Sequence, residues 1–244
     1  KYDITIYGEE PHVNYNRIML SYILSTEKTF EDTIINHLLW YEQNNITLHK
    51  GDKIVSIDKT NKTIKSESGK IESYDKLLIA TGSTAFIPKT KGSDLENVIA
   101  FRTKADVDAI ISTIRKDKTA VVVGGGLLGL EAAYGIAMHG IKTILVHRSG
   151  SILSQQLDST GGKLLRKNLE KYGIEFKLNT TIKEILGDGI VEKVVFTDGV
   201  SVESNLVVFA TGIIPNTALA IDAQLDTKKG IIVDDFLKTS DDSI

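Results

Sequence analysis

The chain has 244 residues, 41% of them hydrophobic and 25% charged, the balance of a globular protein long enough for two domains rather than of a disordered or fibrous one. Its net charge of −3 is spread along the length, so no basic block would condense on nucleic acid or an anionic membrane, and neither partner is expected. The complete lack of cysteine excludes a disulfide, a thiolate nucleophile and a sulfur-ligated metal or iron–sulfur centre within this segment, and no metal site is expected.

Residues 3–7 alternate as a β-branched strand and run at once into Gly8-Glu9-Glu10-Pro11. The chain opens in that strand as if cut from something longer. Residues 31–44 have amphipathic helical spacing, with Ile34, Ile35, Leu38, Leu39 and Tyr41 toward one face. Four short segments follow, 46–49, 54–58, 63–66 and 70–73, separated by turn residues in the manner of a small antiparallel meander. Residues 76–80 are continuously apolar, the pattern of a buried strand, and end in Thr81-Gly82-Ser83.

The stretch 86–97, with Pro88 and Gly92 and little periodicity, marks an interdomain connection. Beyond it the pattern is helical over 104–115, a strand over 119–123, helical over 126–139 and a strand over 143–147. That order is a βαβ unit with a parallel sheet. A long helix is expected over 155–172, stopped by Gly173, then strands over 174–178, 191–197 and 206–210. The last ends in Thr211-Gly212, so an apolar strand runs twice into Ala-Thr-Gly, and two domains of related design follow. The apolar stretch 120–144 is no bilayer span, being broken by glycines, Glu131, His139 and Lys142. No basic flank and apolar run of a secretory signal opens the chain, and the cytoplasm is the expected compartment.

The strand 120–123 leads into Gly124-Gly125-Gly126-Leu127-Leu128-Gly129 and then into a helix carrying Glu131, the context that a dinucleotide-binding loop requires. Gly124 permits the tight turn, Gly126 the close approach of backbone to pyrophosphate, and Gly129 the packing of helix on strand. The next strand ends in His147-Arg148, where an NADH site commonly has an acid. Two cationic donors there suit the extra phosphate of NADPH, and a solvated basic strand end stays open beside that reading. Glu9, after the first strand, has the place of a ribose-binding acid for a second nucleotide, or of a surface turn residue.

Residues 3–21, 74–83, Phe101-Arg102-Thr103, 124–133 and Ala210-Thr-Gly-Ile-Ile-Pro-Asn216 together resemble the FAD-dependent pyridine-nucleotide reductase family, in order and over nearly the whole chain. Gln156-Leu-Asp158 with Gly161-Gly162 looks most like the reductase region of NAD(P)H-dependent assimilatory nitrite reductase large subunits; an ordinary helix start capped by Ser154 or Asp158 is the plainer account of the same residues. The resemblance implies an α/β fold of two Rossmann-like dinucleotide-binding domains, the FAD domain interrupted by an inserted NAD(P)-binding domain, with a small antiparallel meander in each. Its domains would be a partial FAD domain over 1–100, whose first strand and glycine loop lie upstream, an NAD(P)H domain over 101–222, and a return to the FAD domain over 223–244.

For FAD the resemblance implies Glu9 at the ribose, Arg17 and Ser21 on the flavin side, Ile54 at the adenine, Ala80, Thr81 and Gly82 packed on the cofactor, and Arg102 by the isoalloxazine. For NAD(P) it implies Gly124, Gly126, Leu127, Leu128, Gly129, Glu131, His147, Arg148 and Gly212. Alternatively, Arg17 and Arg102 are surface charges and Glu131 a first-turn glutamate favoured by the helix dipole. Related ferredoxin and rubredoxin reductases often have a lysine where this chain has Tyr22. No residue is expected to act as acid, base or nucleophile. The implied activity passes reducing equivalents from NAD(P)H to FAD and on to a small redox protein or a downstream domain, with iron–sulfur and siroheme centres only on segments beyond this one. A rubredoxin or ferredoxin reductase is the alternative enzyme, a non-catalytic nucleotide-binding scaffold the alternative of another class, and a homodimer is left open. Because residues 239–244 stop short of the family's last FAD motif, weak FAD binding by this segment alone is expected.

Overall fold

The computed structural model describes residues 2–244. It separates into two compact units, one formed by the residues up to Tyr15, Ile34–Thr84 and Ile214–Ile244, the other by Asn16–Thr33 and Ala85–Ile213. These bounds differ from the sequence expectation in three places. Residues 16–33 and 85–100 belong with the glycine-loop unit, and residues 214–222 belong with the first unit.

The first unit begins with β1 (Ile4–Gly8). The chain then supplies α1 (Leu20–Leu24) to the second unit and returns through α2 (Leu38–Gln43) to β2 (Ile46–Lys50). β2 pairs with β1 in parallel, Ile4 beside Ile46, so it is not the first strand of the meander that the sequence suggested; a long crossover between two strands permits parallel pairing, a tight turn does not. The meander itself is β3 (Ile54–Asp58), β4 (Thr63–Ser66) and β5 (Ile71–Ser73), antiparallel throughout.

The continuous helix expected over 31–44 is also corrected. Asn14 captures the backbone where that helix would continue: its carbonyl accepts from Ile35 N at 3.0 Å and its Oδ1 from Asn36 N at 3.1 Å. Helix resumes only at Leu38, and Ile35, Leu38 and Leu39 are half exposed or more. Residues 76–80 likewise form no strand. Leu77 and Ile79 pack on a small core of Ile57, Ala220, Ala223 and Leu225, while Leu78 between them is 82% exposed, so this apolar run has one buried face instead of two.

The second unit contains the larger core. The chain enters it within β6 (Ser83–Ala85) and continues to β7 (Val98–Ala100), α3 (Lys104–Thr113), β8 (Thr119–Val123), α4 (Leu127–Ala137), β9 (Lys142–His147), α5 (Ser159–Glu170) and β10 (Ile174–Leu178). Then come β11 (Ile182–Leu186), β12 (Lys193–Phe196), β13 (Ser201–Glu203) and β14 (Leu206–Phe209), before β15 (Ile213–Pro215) leads back to the first unit and α6 (Ala218–Asp222). The sheet order is β10-β9-β8-β14-β7, every neighbour parallel. Its central strands are buried on both faces, which is why they read as unbroken apolar runs. β11, β12 and β13 form an antiparallel meander whose Ile182, Ile185, Val194 and Phe196 close one side of that core.

Local chemistry sets the helix bounds. Thr103 and Asp106 form a reciprocal capping box: Thr103 Oγ1 accepts from Asp106 N at 3.1 Å, and Asp106 Oδ2 from Thr103 N at 2.8 Å. Asp158 Oδ1 accepts from Gly161 N at 2.7 Å, so α5 starts at Ser159 and is shorter than the expected 155–172. α1 joins the second unit because Leu24 is fully buried against α4, where a Cβ on Gly135 would stand 2.8 Å from Leu24 Cγ. Nε2 of His139 also donates to the Leu24 carbonyl at 2.7 Å. Burying Leu20, Ile23 and Leu24 stabilises this docking by roughly 2 kcal/mol per side chain.

Candidate functional site

Ligands of open parallel sheets bind at the carboxyl ends of the strands, where the strand order reverses. Here β9 lies on one side of β8 and β14 on the other, and the ends of these three strands carry the sequence-predicted nucleotide residues. β8 ends in Gly124, whose φ of +127° lies in the region that favours glycine. A Cβ there would also stand 2.4 Å from the Ala210 carbonyl oxygen. The second Ala-Thr-Gly therefore lies beside the glycine loop, and Gly212, with φ +125° and open space where a Cβ would be, completes that edge.

The three glycines of the motif have separate environments. A Cβ on Gly129 would come within 1.9 Å of the Gly124 carbonyl oxygen, so the helix packs on the loop with no room for a methyl group. Gly126 is the N-cap of α4, in extended conformation, and nothing lies within 4 Å of a Cβ built there. It offers no side chain to cap the helix, and the backbone N–H groups of the first turn stay available to an anion. Leu127 and Leu128 are exposed beside it. This combination of one tight glycine, one strained glycine and one open glycine at the start of an 11-residue helix fits a bound pyrophosphate.

Gly125, which has no separate role in the sequence motif, is held through both of its backbone groups. Its N–H donates to Nδ1 of His147 at 3.1 Å, and its carbonyl accepts from Leu153 N at 2.9 Å. A Cβ at Gly125 would lie 2.6 Å from the His147 ring, so the imidazole rests directly on the loop. Burial, and secondarily the Arg148 charge, hold His147 below the ordinary imidazole value. As His147 accepts through Nδ1 it is neutral, with its proton on Nε2. The expectation of two cationic donors is thus corrected to one cation, the exposed Arg148, and one neutral imidazole.

Glu131, one turn into α4, is partly buried, and burial raises its carboxyl above the ordinary value, while a hydrogen bond from the Ser21 hydroxyl acts in the opposite direction. Arg17 Nη1 donates to the Arg102 carbonyl at 3.0 Å, and Arg102 N donates to Asp106 Oδ2 at 2.9 Å. Arg17, Ser21 and Arg102 are therefore built into the unit that carries the glycine loop.

The other FAD candidates lie in the first unit. Glu9 accepts from Lys53 Nζ at 2.8 Å yet stays 66% exposed, free to accept from a hydroxyl as well. Ile54 opens β3. Thr81 and Gly82 are clamped by Asn216: Asn216 Nδ2 donates to the Thr81 carbonyl at 2.8 Å, Asn216 N donates to the Gly82 carbonyl at 3.0 Å, and Thr81 Oγ1 donates to the Asn216 carbonyl at 3.0 Å. Ala80 leads into that clamp, and Gly82, at φ +63°, faces open space. The open glycine and the exposed carboxylate fit part of a dinucleotide. The role of Asn216 is not legible in the sequence, because its partner Thr81 is 135 residues away, a pairing that spacing cannot reveal.

A family model described as pyridine nucleotide-disulphide oxidoreductase matches residues 1–244. The chain belongs to that family. Among its relatives in the family, the nitrite reductase [NAD(P)H] of Bacillus subtilis (strain 168) is 43% identical over 98% of this chain and 30% of its own length. The assimilatory nitrate reductase electron transfer subunit of the same organism is 39% identical over 100% of this chain and 32% of its own length. The chain thus spans about a third of the length of these two relatives. A crystal structure of NADH:rubredoxin oxidoreductase from Clostridium acetobutylicum superposes with a TM-score of 0.82 at 30% identity, covering 98% of this chain and 60% of that one. These 244 residues include no cysteine. Among the described residues no helix is long and apolar enough to cross a membrane.

Proposed function

We propose that this chain is the dinucleotide-handling part of an NAD(P)H-dependent flavoprotein reductase of the nitrite reductase kind. The observation that carries this reading is the glycine loop at the reversal point of the parallel sheet, with Gly126 open and Gly129 closed. When bound, NAD(P)H and FAD supply the hydride and electron chemistry themselves. The chain's residues bind and orient. The first turn of α4 receives the pyrophosphate, Gly126 and Gly212 let backbone come close to it, and Glu131 stands partly desolvated at that helix, its carboxyl raised above the ordinary value by burial. In the first unit Glu9 receives ribose hydroxyls, Ile54 meets the adenine, and the Ala80-Thr81-Gly82 segment packs on the second nucleotide. Arg17, Ser21 and Arg102 serve the flavin side.

NADPH is the nucleotide that this edge suits better, through Arg148 alone: a guanidinium pairs with a 2′-phosphate, and the strand end carries no carboxylate to receive a 2′-hydroxyl. The acceptor is a small redox protein or a redox domain elsewhere in a longer polypeptide, the arrangement to which a match over a third of the nitrite reductase length points. An acceptor of the rubredoxin kind is the second reading, favoured by the likeness to the rubredoxin oxidoreductase.

Stopped-flow mixing of the full-length, FAD-loaded protein with NADPH and with NADH tests the proposal. Rapid loss of oxidised-flavin absorbance is expected, faster at low concentration with NADPH. A flavin that stays oxidised with both would end the reductase reading and leave a nucleotide-binding scaffold.

A further inference from the structure

β9 delivers His147 to the underside of the glycine loop, where its ring occupies the space that a side chain on Gly125 would need. Three hydrogen bonds hold this stretch: Gly124 N to the Val146 carbonyl at 3.0 Å, Gly125 N to His147 Nδ1 at 3.1 Å, and Leu153 N to the Gly125 carbonyl at 2.9 Å. Only the middle one has a partner that titrates near neutral pH. Both backbone groups of Gly125 are therefore taken, and the peptide between the strained Gly124 and the open Gly126 has its orientation set by a side chain.

We infer that His147 is a positioning residue that latches the dinucleotide loop through its neutral imidazole, so that binding of the dinucleotide requires His147 to be unprotonated. This rests on the reading of residues 124–129 as a dinucleotide site. A protonated imidazole has no acceptor at Nδ1; it would set an N–H against the N–H of Gly125 and leave that donor unpaired in a part-buried place. The surroundings favour the neutral form: burial and the neighbouring Arg148 both oppose a second positive charge. The faces packed on the ring and its backbone bring no countercharge among the described residues. Gly124–Gly126 have no titratable side chain, Leu178 of β10 pairs with His147, and Thr180 N donates to its carbonyl at 3.3 Å. The role differs from direct contact with a 2′-phosphate, which would be strengthened by protonation. A latch is weakened by it.

The two signs make the test decisive. Dissociation constants of NADH and NADPH are measured on the purified 244-residue chain between mildly acidic and mildly alkaline pH, for the wild type, His147→Asn and His147→Ala. The Oδ1 of asparagine accepts from Gly125 N–H much as Nδ1 does, without titrating. In the wild type, both constants are expected to rise as pH falls, approaching about tenfold per pH unit below the His147 pKa, the slope of a single linked proton. His147→Asn should bind as the wild type does at alkaline pH and lose this slope, and His147→Ala should bind weakly at every pH. The Gly125 amide resonance of the ligand-free chain provides a readout that needs no nucleotide: it should move with the His147 titration in the wild type and stay fixed in His147→Asn. A slope that persists in His147→Asn, tighter NADPH binding at acidic pH, or a Gly125 amide that ignores His147 overturns the latch while the dinucleotide reading stands. If neither nucleotide binds to any of the three proteins at any pH, the dinucleotide reading itself is what has failed.

Discussion

Two alanine substitutions in one loop should separate folding from binding. At Gly129 the added methyl group would stand 1.9 Å from the Gly124 carbonyl oxygen. Relief needs a backbone displacement of over an ångström in a loop already fixed at Gly124 and Gly125. Replacing a helical glycine by alanine ordinarily stabilises by about 0.5–1 kcal/mol. Overpacking costs about 1–3 kcal/mol, and here the obstacle is backbone rather than a flexible side chain, so the upper half of that range applies and Gly129→Ala should lose a net of about 1–2.5 kcal/mol. At Gly126 a Cβ meets nothing within 4 Å and the backbone is extended, an ordinary conformation for alanine. The weaker cap and the smaller entropy of the unfolded chain roughly cancel, leaving stability within about 0.5 kcal/mol of the wild type. Its methyl group instead occupies the face that the pyrophosphate must approach, and the dissociation constant for NAD(P)H should rise at least about tenfold, or about 1.4 kcal/mol. Urea denaturation followed by circular dichroism gives the first quantity and nucleotide titration the second. Equal destabilisation by the two substitutions, or a Gly126→Ala protein that binds NAD(P)H as the wild type does, would refute the division of labour.

Other parts of the site give smaller effects. Asn216→Ala removes the side-chain bonds to the Thr81 carbonyl and from Thr84 Oγ1, both on exposed groups, and should cost about 1 kcal/mol in urea melts; no change would mean that the bonds made by the Asn216 backbone, to the Gly82 carbonyl and from Thr81 Oγ1, hold the clamp. Thr103→Ala breaks the capping box of α3 and should cost about 1 kcal/mol by the same measurement. Glu131 has its folded-state pKa raised by burial, so the native chain binds the proton more tightly than the unfolded one, and stability falls as pH rises from the ordinary carboxyl value toward the folded one. Glu131→Gln should flatten that segment of the stability–pH curve and be at least as stable as the wild type at neutral pH; an unchanged curve would show that Glu131 is not the group responsible. Arg148→Ala should weaken NADPH several-fold more than NADH, roughly 1 kcal/mol of discrimination for one exposed phosphate contact. Equal effects on both nucleotides would remove Arg148 from the 2′ edge.

The glycine loop was legible from the sequence because its physics is local: an apolar strand, three spaced glycines and a helix with no break between them. The bounds of β8 agree with the 119–123 expectation. Residues 31–44 and 76–80 misled because their patterns report only which side chains are apolar. Whether a helix continues depends on Asn14, more than 20 residues away, capturing Ile35 and Asn36, and whether an apolar run is buried on two faces depends on what packs against it. The membership of 16–33 in the second unit was equally hidden, since it depends on Leu24 meeting Gly135 and His139.

What the sequence by itself determined is the class of the molecule and the existence of a nucleotide loop, both written in short-range periodicity and in the spacing of residues that have no Cβ. Only the tertiary structure decided the protonation of His147. In the sequence, His147-Arg148 is a pair of basic side chains; folded, the half-buried imidazole rests on Gly125, accepts its N–H, and cannot carry a charge there without losing that bond. Charge depends on surroundings, and surroundings are assembled from parts of the chain that the sequence keeps apart.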